Sequence, residues 1–159
     1  MNQLCKQRDD EYHQWSSGFA EYFPGFKVGM SKLTVGVKCR LGDLEITDIA
    51  LFDTGAEWTL IGGETAEILE GRFSEAIETI NYSTRLGKMN VTLRRLPILL
   101  LADDGCGADL YVESTVAVAP EWTGPIVLGY RGFLERIRFA LEPRFSAELT
   151  DQIYFDGAM

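Results

Sequence analysis

From Leu33 onward the apolar side chains recur at every second position, and this period constrains the fold of the chain more than any other feature. Leu33, Val35 and Val37 fall on one side of an extended segment, and Thr34, Gly36 and Lys38 on the other, as in a half-buried strand. Arg40-Leu41-Gly42-Asp43 supplies turn chemistry. Leu44, Ile46 and Ile49-Ala50-Leu51-Phe52 then form a second strand, so the pair reads as a hairpin. A short extended piece is expected at Thr59-Leu60-Ile61, with further strands at Ile80–Thr84, Asn90–Leu101, Leu110–Val118, Pro125–Leu128, Ile137–Leu141 and Gln152–Phe155. Within this patterned region only Glu64–Leu69 and Arg131–Arg136 suggest a brief helix. Many short strands, tight turns and little helix point to a mainly β, closed or folded antiparallel sheet. Pro97 lies inside the longest run; lacking a ladder donor, it predicts an edge or a bulge there.

The 159 residues suit one domain, and 46% hydrophobic content is enough for an ordinary core. Residues 1–30 differ in pattern, being polar and aromatic, and read as an N-terminal appendage or arm, with the domain proper over 31–159. Leu4, Tyr12, Trp15 and Phe19 are compatible with one side of a helix in that segment. No stretch approaches the roughly 20 apolar residues that span a bilayer, and Met1-Asn2-Gln3-Leu4-Cys5-Lys6 lacks the apolar core of a secretion signal. A cytoplasmic protein with no membrane partner is the expectation.

A net charge of −9 repels phosphate backbones, and pairs such as Arg94-Arg95 form no compensating patch, so no nucleic-acid partner is expected. Cys5, Cys39 and Cys106 are odd in number and unrelated in spacing, which implies neither a disulfide framework nor a metal knuckle. The lone histidine, His13, excludes an H-E-x-x-H zinc site and has no nucleophile in a recognisable setting nearby; it reads as an exposed polar residue. No metal and no cofactor are expected.

One segment carries chemistry. Asp53-Thr54-Gly55-Ala56 follows the apolar run Ile49–Phe52 and precedes the hydrophobic pair Leu60-Ile61. About 75 residues later, Ile126-Val127-Leu128-Gly129 leads into Tyr130–Glu135. These two elements resemble the active-site loop, and the apolar-apolar-glycine segment packed against it, of retropepsin-like aspartic proteases. The likeness covers roughly Leu33–Glu142. It departs from the viral pattern in needing an insertion, placed around Ala102–Ala108, and in having Tyr130 where the arginine would stand, so that Arg131 is displaced by one position.

The resemblance implies a retropepsin-like closed (acid-protease) β-barrel with one or two short helices, assembling as a symmetric homodimer. It implies an aspartic endopeptidase acting on a protein or peptide substrate, with Asp53 of each copy forming the catalytic pair. Thr54 would hydrogen-bond across to the opposite loop, and Gly55 would permit close backbone approach. Ala56 and Glu57 would line the substrate site, and Glu57 could pair with Arg131 as an acid and an arginine do at comparable family positions. The glycine-containing flap is matched to Tyr82–Asn90, with Leu86, Gly87 and Lys88 at its tip.

The chemistry of the motif stands apart from the family. Hydrolysing an amide needs a base to activate water and an acid to polarise the carbonyl, and two carboxyls about 3 Å apart supply both by sharing one proton. This chain has one such loop, so its pair requires two-fold association. Ala56 offers no hydroxyl to stabilise the anion, and activity is expected to peak at mildly acidic pH. Asp104-Gly105 and Asp156-Gly157 lack the motif and read as turns. Trp58 and Trp122 read as core or dimer contacts more readily than as subsite walls. A non-catalytic dimerisation or peptide-binding module of the same fold is the competing reading.

Overall fold

Val35, Val37, Cys39 and Leu41 are all but fully buried, as the alternation requires, along one face of a nine-residue strand, Leu33–Leu41. In the computed structural model, which describes residues 5–8, 11–24, 33–84, 87–142 and 152–158, that strand is the fourth in chain order. Before it come β1 (Cys5–Arg8), β2 (Glu11–Gln14) and β3 (Ser16–Pro24). After β4 come β5 (Asp48–Phe52), β6 (Thr59–Gly62), the helix α1 (Gly63–Ile68), β7 (Glu78–Thr84) and β8 (Gly87–Leu100). The chain continues with β9 (Leu110–Ala119), β10 (Val127–Leu128), a 3-10 turn (Leu134–Arg136), β11 (Ile137–Glu142) and β12 (Gln152–Gly157).

The fold is mainly β. Ten strands form one sheet in the order β11-β12-β3-β4-β5-β10-β6-β9-β8-β7, and β4 pairs a second time, with β8. Pairing that starts at β4 and runs through β5, β10, β6, β9 and β8 therefore returns to β4. All contacts are antiparallel except β5 with β10 and β6 with β9. The main apolar core has Val37, Ile61, Leu96, Ile98, Leu128 and Phe133 among its buried members, and β3, β11 and β12 add Ala20, Ile137, Ile153 and Phe155. No helix among the described residues is long and apolar enough to cross a membrane.

The hairpin β4–β5, the extended piece at β6, the short helix and the later strands follow the sequence pattern. Three expectations need correction. The helix anticipated from Leu4, Tyr12, Trp15 and Phe19 is replaced by strands: β1 and β2 pair as a hairpin, and β3 hydrogen-bonds to β4 on one side and β12 on the other. Residues 16–24, at the end of the segment read as an appendage, thus belong to the sheet. Asp156-Gly157 is not a turn but the end of β12, with Asp156 opposite Arg138. Asp104-Gly105 is a turn, with Gly105 at a φ of 74°.

Pro97 is the third correction. β8 is an interior strand whose pairing with β9 runs unbroken through Pro97, opposite Glu113. On its other side β8 pairs with β7 only up to Leu93 and with β4 only from Ile98, so Pro97 occupies the gap where the neighbour changes. The missing N–H costs no ladder bond there, and the Pro97 carbonyl still accepts from the Gly42 N–H at 2.8 Å.

The loop at Ala102–Ala108 packs on β3: the Ser17 N–H donates to the Cys106 carbonyl and the Asp103 N–H to the Ser17 carbonyl, at 2.8 and 2.9 Å. A methyl on Gly18 would lie 2.3 Å from the Leu101 carbonyl oxygen. Cys106 and Cys39 are both buried.

Candidate active site

The apolar strand β5 delivers Asp53 to the end of β10. The Leu51 N–H donates to the Ile126 carbonyl at 2.8 Å and the Asp53 N–H to the Leu128 carbonyl at 3.1 Å, extending the parallel β5–β10 ladder into the first residue of the loop. On its other side β10 pairs with β6, Val127 opposite Leu60. The loop 53–58 therefore bridges the two neighbours of β10 across its end.

Within the loop, Asp53 Oδ1 accepts the Gly55 N–H at 2.8 Å and the Asp53 carbonyl accepts the Ala56 N–H at 3.2 Å. This Asx-type turn fixes the carboxylate relative to its own backbone. Asp53, Thr54 and Gly55 are all exposed, so the carboxylate and the threonine hydroxyl face outward from the chain.

The far side of the loop is clamped to the segment after β10. Tyr130 and Arg131 donate their N–H groups to the carbonyls of Ala56 and Glu57, at 2.8 and 2.7 Å, and Trp58 and Arg131 form a parallel bridge. Between these bonds the two backbones meet at Gly129. Its N–H is taken by the buried Thr59 hydroxyl oxygen at 3.1 Å, and a methyl group on it would collide with Trp58. The sequence reading did not single out Thr59. Its signal was a hydroxyl heading the apolar run Thr59-Leu60-Ile61, where a buried polar group requires a partner.

Arg131, one position later than the family pattern, lands beside the loop nonetheless. Its Nε lies 3.5 Å from Glu57 Oε1, and its guanidinium carbon lies 5.8 Å from the Trp58 ring centre. Both charged side chains are more than half exposed, so the pair adds little to stability.

A second apolar cluster adjoins the loop. Its buried members include Leu60, Val127 and Ala117 together with Tyr82, Val91 and Leu93 of the β7–β8 hairpin, and Ala56, Trp58, Ile80, Met89 and Trp122 are among those that pack on it half-buried. The residues after Asp53 and the hairpin matched to the flap thus share one apolar surface. Trp58 and Trp122 belong to it, and the Trp122 indole N–H donates to the Pro125 carbonyl at 2.8 Å. Gly87 and Lys88 stand exposed at the hairpin tip, Gly87 with a φ of 123°. Leu86 lies outside the described residues. Among the described residues no group of three or more His, Cys, Asp or Glu side chains is placed to hold a metal ion.

With this geometry in view, comparison with solved structures gives the fold. The chain is similar to a retropepsin-like aspartic protease from Rickettsia conorii. The match covers 92% of this chain and 99% of that one, with a TM-score of 0.50 and 15% sequence identity. At that identity the likeness is one of fold. No family model matches the chain, and no curated protein matches it.

Proposed function

We propose that this chain is one half of a homodimeric aspartic endopeptidase whose catalytic pair is Asp53 from each copy. The observation that carries the reading is the exposed Asp53-Thr54-Gly55 turn, set at the end of β10 in a retropepsin-like fold. An outward carboxylate on a braced backbone is what a symmetric partner can meet, and one loop per chain makes that partner necessary. The circuit of strands from β4 back to β4 is, on this reading, the closed barrel of the family.

In the dimer, one Asp53 carboxylate takes a proton from water as the water oxygen attacks the scissile carbonyl carbon, and the other Asp53, protonated, donates to the carbonyl oxygen. Collapse of the tetrahedral intermediate breaks the C–N bond, with a proton delivered to the leaving nitrogen. Gly55 holds one Asp53 oxygen by its N–H, and Thr54, exposed beside it, is the group that would brace the two loops against each other. Extended substrate would lie over Ala56 and Glu57, beneath the hairpin tip at Gly87 and Lys88. No cofactor takes part in this scheme.

The test is cleavage of a diverse peptide library by the wild type and by Asp53→Asn. Asparagine keeps the oxygen that accepts the Gly55 N–H, so the fold should persist, while loss of the proton-transfer group lowers the rate by about 10²–10⁴-fold or more. Equal cleavage by both proteins removes Asp53 from the mechanism.

A further inference from the structure

Four arginines of the chain are tied down by their own side-chain hydrogen bonds. Arg40 donates to the Thr47 hydroxyl, Arg72 to the Asp43 carboxylate, Arg94 to the Ser74 carbonyl and Arg136 to the Glu113 carbonyl. Arg131 is held differently. Its nearest approach to Glu57 is Nε to Oε1 at 3.5 Å, an ion-pair separation beyond ordinary hydrogen-bond range, and among the described residues its guanidinium donates no hydrogen bond. The side chain is 59% exposed, so its Nη1 and Nη2 ends are open to a ligand.

The backbone and one ring fix where that open fork stands. The Arg131 N–H is bonded to the Glu57 carbonyl, the residue forms a parallel bridge with Trp58, and its guanidinium carbon lies 5.8 Å from the centre of the Trp58 ring. A guanidinium at that distance from an indole is attracted to it, and its planar fork loses little freedom on binding an anion. Trp58 is itself half-buried on the apolar cluster shared by Leu60, Val127 and the β7–β8 hairpin. Arg131 therefore sets a cation with unspent donors at the rim of the apolar surface beside the Asp53 loop.

The charge around it selects among anions. Glu57 opposes a second negative charge at this spot, which favours a monoanionic carboxylate over a phosphate carrying nearly two charges. The chain as a whole, at −9, gives an acidic peptide no long-range attraction, so any preference for one must arise by contact.

We propose that Arg131, backed by Trp58, makes this site selective for peptides bearing an aspartate or glutamate within a few residues of the scissile bond, its open fork taking the side-chain carboxylate. The proposal rests on the protease reading above and deepens it by naming the substrate class. Arg131 is on this account a specificity residue and takes no part in the chemical step.

The test uses pairs of peptides, built on a sequence the wild type cleaves, that differ only by glutamate or glutamine at one position around the scissile bond. All are amidated at the C-terminus, with a matching free-acid set. Work at about 0.15 M salt, where the screening length is about 8 Å, suppresses the effect of net charge. The quantity read is the glutamate-to-glutamine ratio of kcat/KM. For the wild type it should reach about fivefold or more at one position, carried by KM, as a charge-assisted fork contact gives. Arg131→Gln should bring the ratio to about one, and Arg131→Lys should keep part of it, since lysine supplies the charge without the fork. Glu57→Gln should raise the ratio by removing the competing carboxylate. A purely structural role for Arg131 would lower cleavage of both peptides alike and leave the ratio where it was.

A wild-type ratio near one at every position overturns the assignment and leaves the protease reading in place. So does a preference that survives Arg131→Gln, which would place it on other residues. A preference confined to free-acid peptides means that the fork takes a chain terminus and overturns the side-chain assignment. Should the wild type cleave no peptide, the protease reading falls, and fluorescence anisotropy of labelled glutamate and glutamine peptides with the full chain decides the rest. Tighter binding of the glutamate peptide, lost in Arg131→Gln, keeps the carboxylate site; equal binding removes it as well.

Discussion

Gly129 lies so close to Trp58 that a methyl group added to it would sit 2.3 Å from both the Trp58 carbonyl carbon and oxygen. The contact is backbone against backbone and no side chain can swing away to relieve it. It sets how tightly the segment after β10 closes on the Asp53 loop.

Gly129→Ala should therefore lower stability by about 2–3 kcal/mol, at the upper end of overpacking, with loss of any cleavage activity. Gly71→Ala is the comparison. Gly71 has a φ of 82° but open space around its α-carbon, so alanine meets only the left-handed backbone penalty, about 1 kcal/mol. Urea unfolding of the two variants measures the difference, and equal losses would mean that the Trp58 contact yields freely.

The Thr59 hydroxyl makes a second hold on the same glycine. Thr59→Val preserves the shape but removes the acceptor of the Gly129 N–H, leaving a buried donor unpaired at a cost of about 1–3 kcal/mol. Thr59→Ser keeps an oxygen there and should recover most of that loss. Matching stabilities for the valine and serine variants would show that the 3.1 Å bond contributes nothing.

Glu57 and Arg131 call for the opposite expectation. Their side chains are 53% and 59% exposed and the closest approach is 3.5 Å, so Glu57→Gln should change unfolding free energy by less than about 1 kcal/mol. If the pair's role is to shape the substrate site or the dimer, the variant should instead alter KM or the dimer dissociation constant by a clear margin. A stability loss with unaltered cleavage would reduce the pair to a structural contact.

The features legible in the sequence were those whose cause is local. The alternation from Val35 to Leu41 names its own buried face, and Asp53-Thr54-Gly55 announces its turn because the aspartate oxygen bonds two residues ahead. β3 was hidden because its reasons are distant. Ser16, Ser17 and Gly18 look like a polar break, yet they are small because the loop at Leu101–Gly107 lies against them. The partner that fixes Gly18 in a ladder, Ile153, is far along the chain. Pro97 failed differently: the rule that proline avoids ladder positions holds, but one side of an interior strand can satisfy it when the neighbour changes from β7 to β4. At the site, the one-residue shift of Arg131 looked like a defect on the page. The bridge to Trp58 brings it to Glu57 all the same, because backbone register, not sequence spacing, decides which side chain arrives there.

The last prediction concerns pH and lies away from the site. Cys39, in the interior of β4 opposite Asp48, has its thiol pushed up from 9.0 to about 12, first by burial and second by the nearby Asp48 charge. In the unfolded chain the same thiol ionises in its ordinary range. Below that range the thiol is protonated in both states and pH has no leverage through it. Above it the unfolded chain gives up a proton that the folded chain keeps, so the unfolded state gains and stability falls, by up to about 1.4 kcal/mol per pH unit, until the folded thiol also ionises. The loss should therefore open near pH 9 and continue toward pH 12. Cys39→Ala sacrifices core packing at every pH but removes this titration. Urea unfolding at pH 7.5 and at pH 10.5 should thus show the gap between wild type and Cys39→Ala narrowing at the higher pH. A gap that stays constant would mean that Cys39 ionises as readily in the folded chain as in the unfolded one.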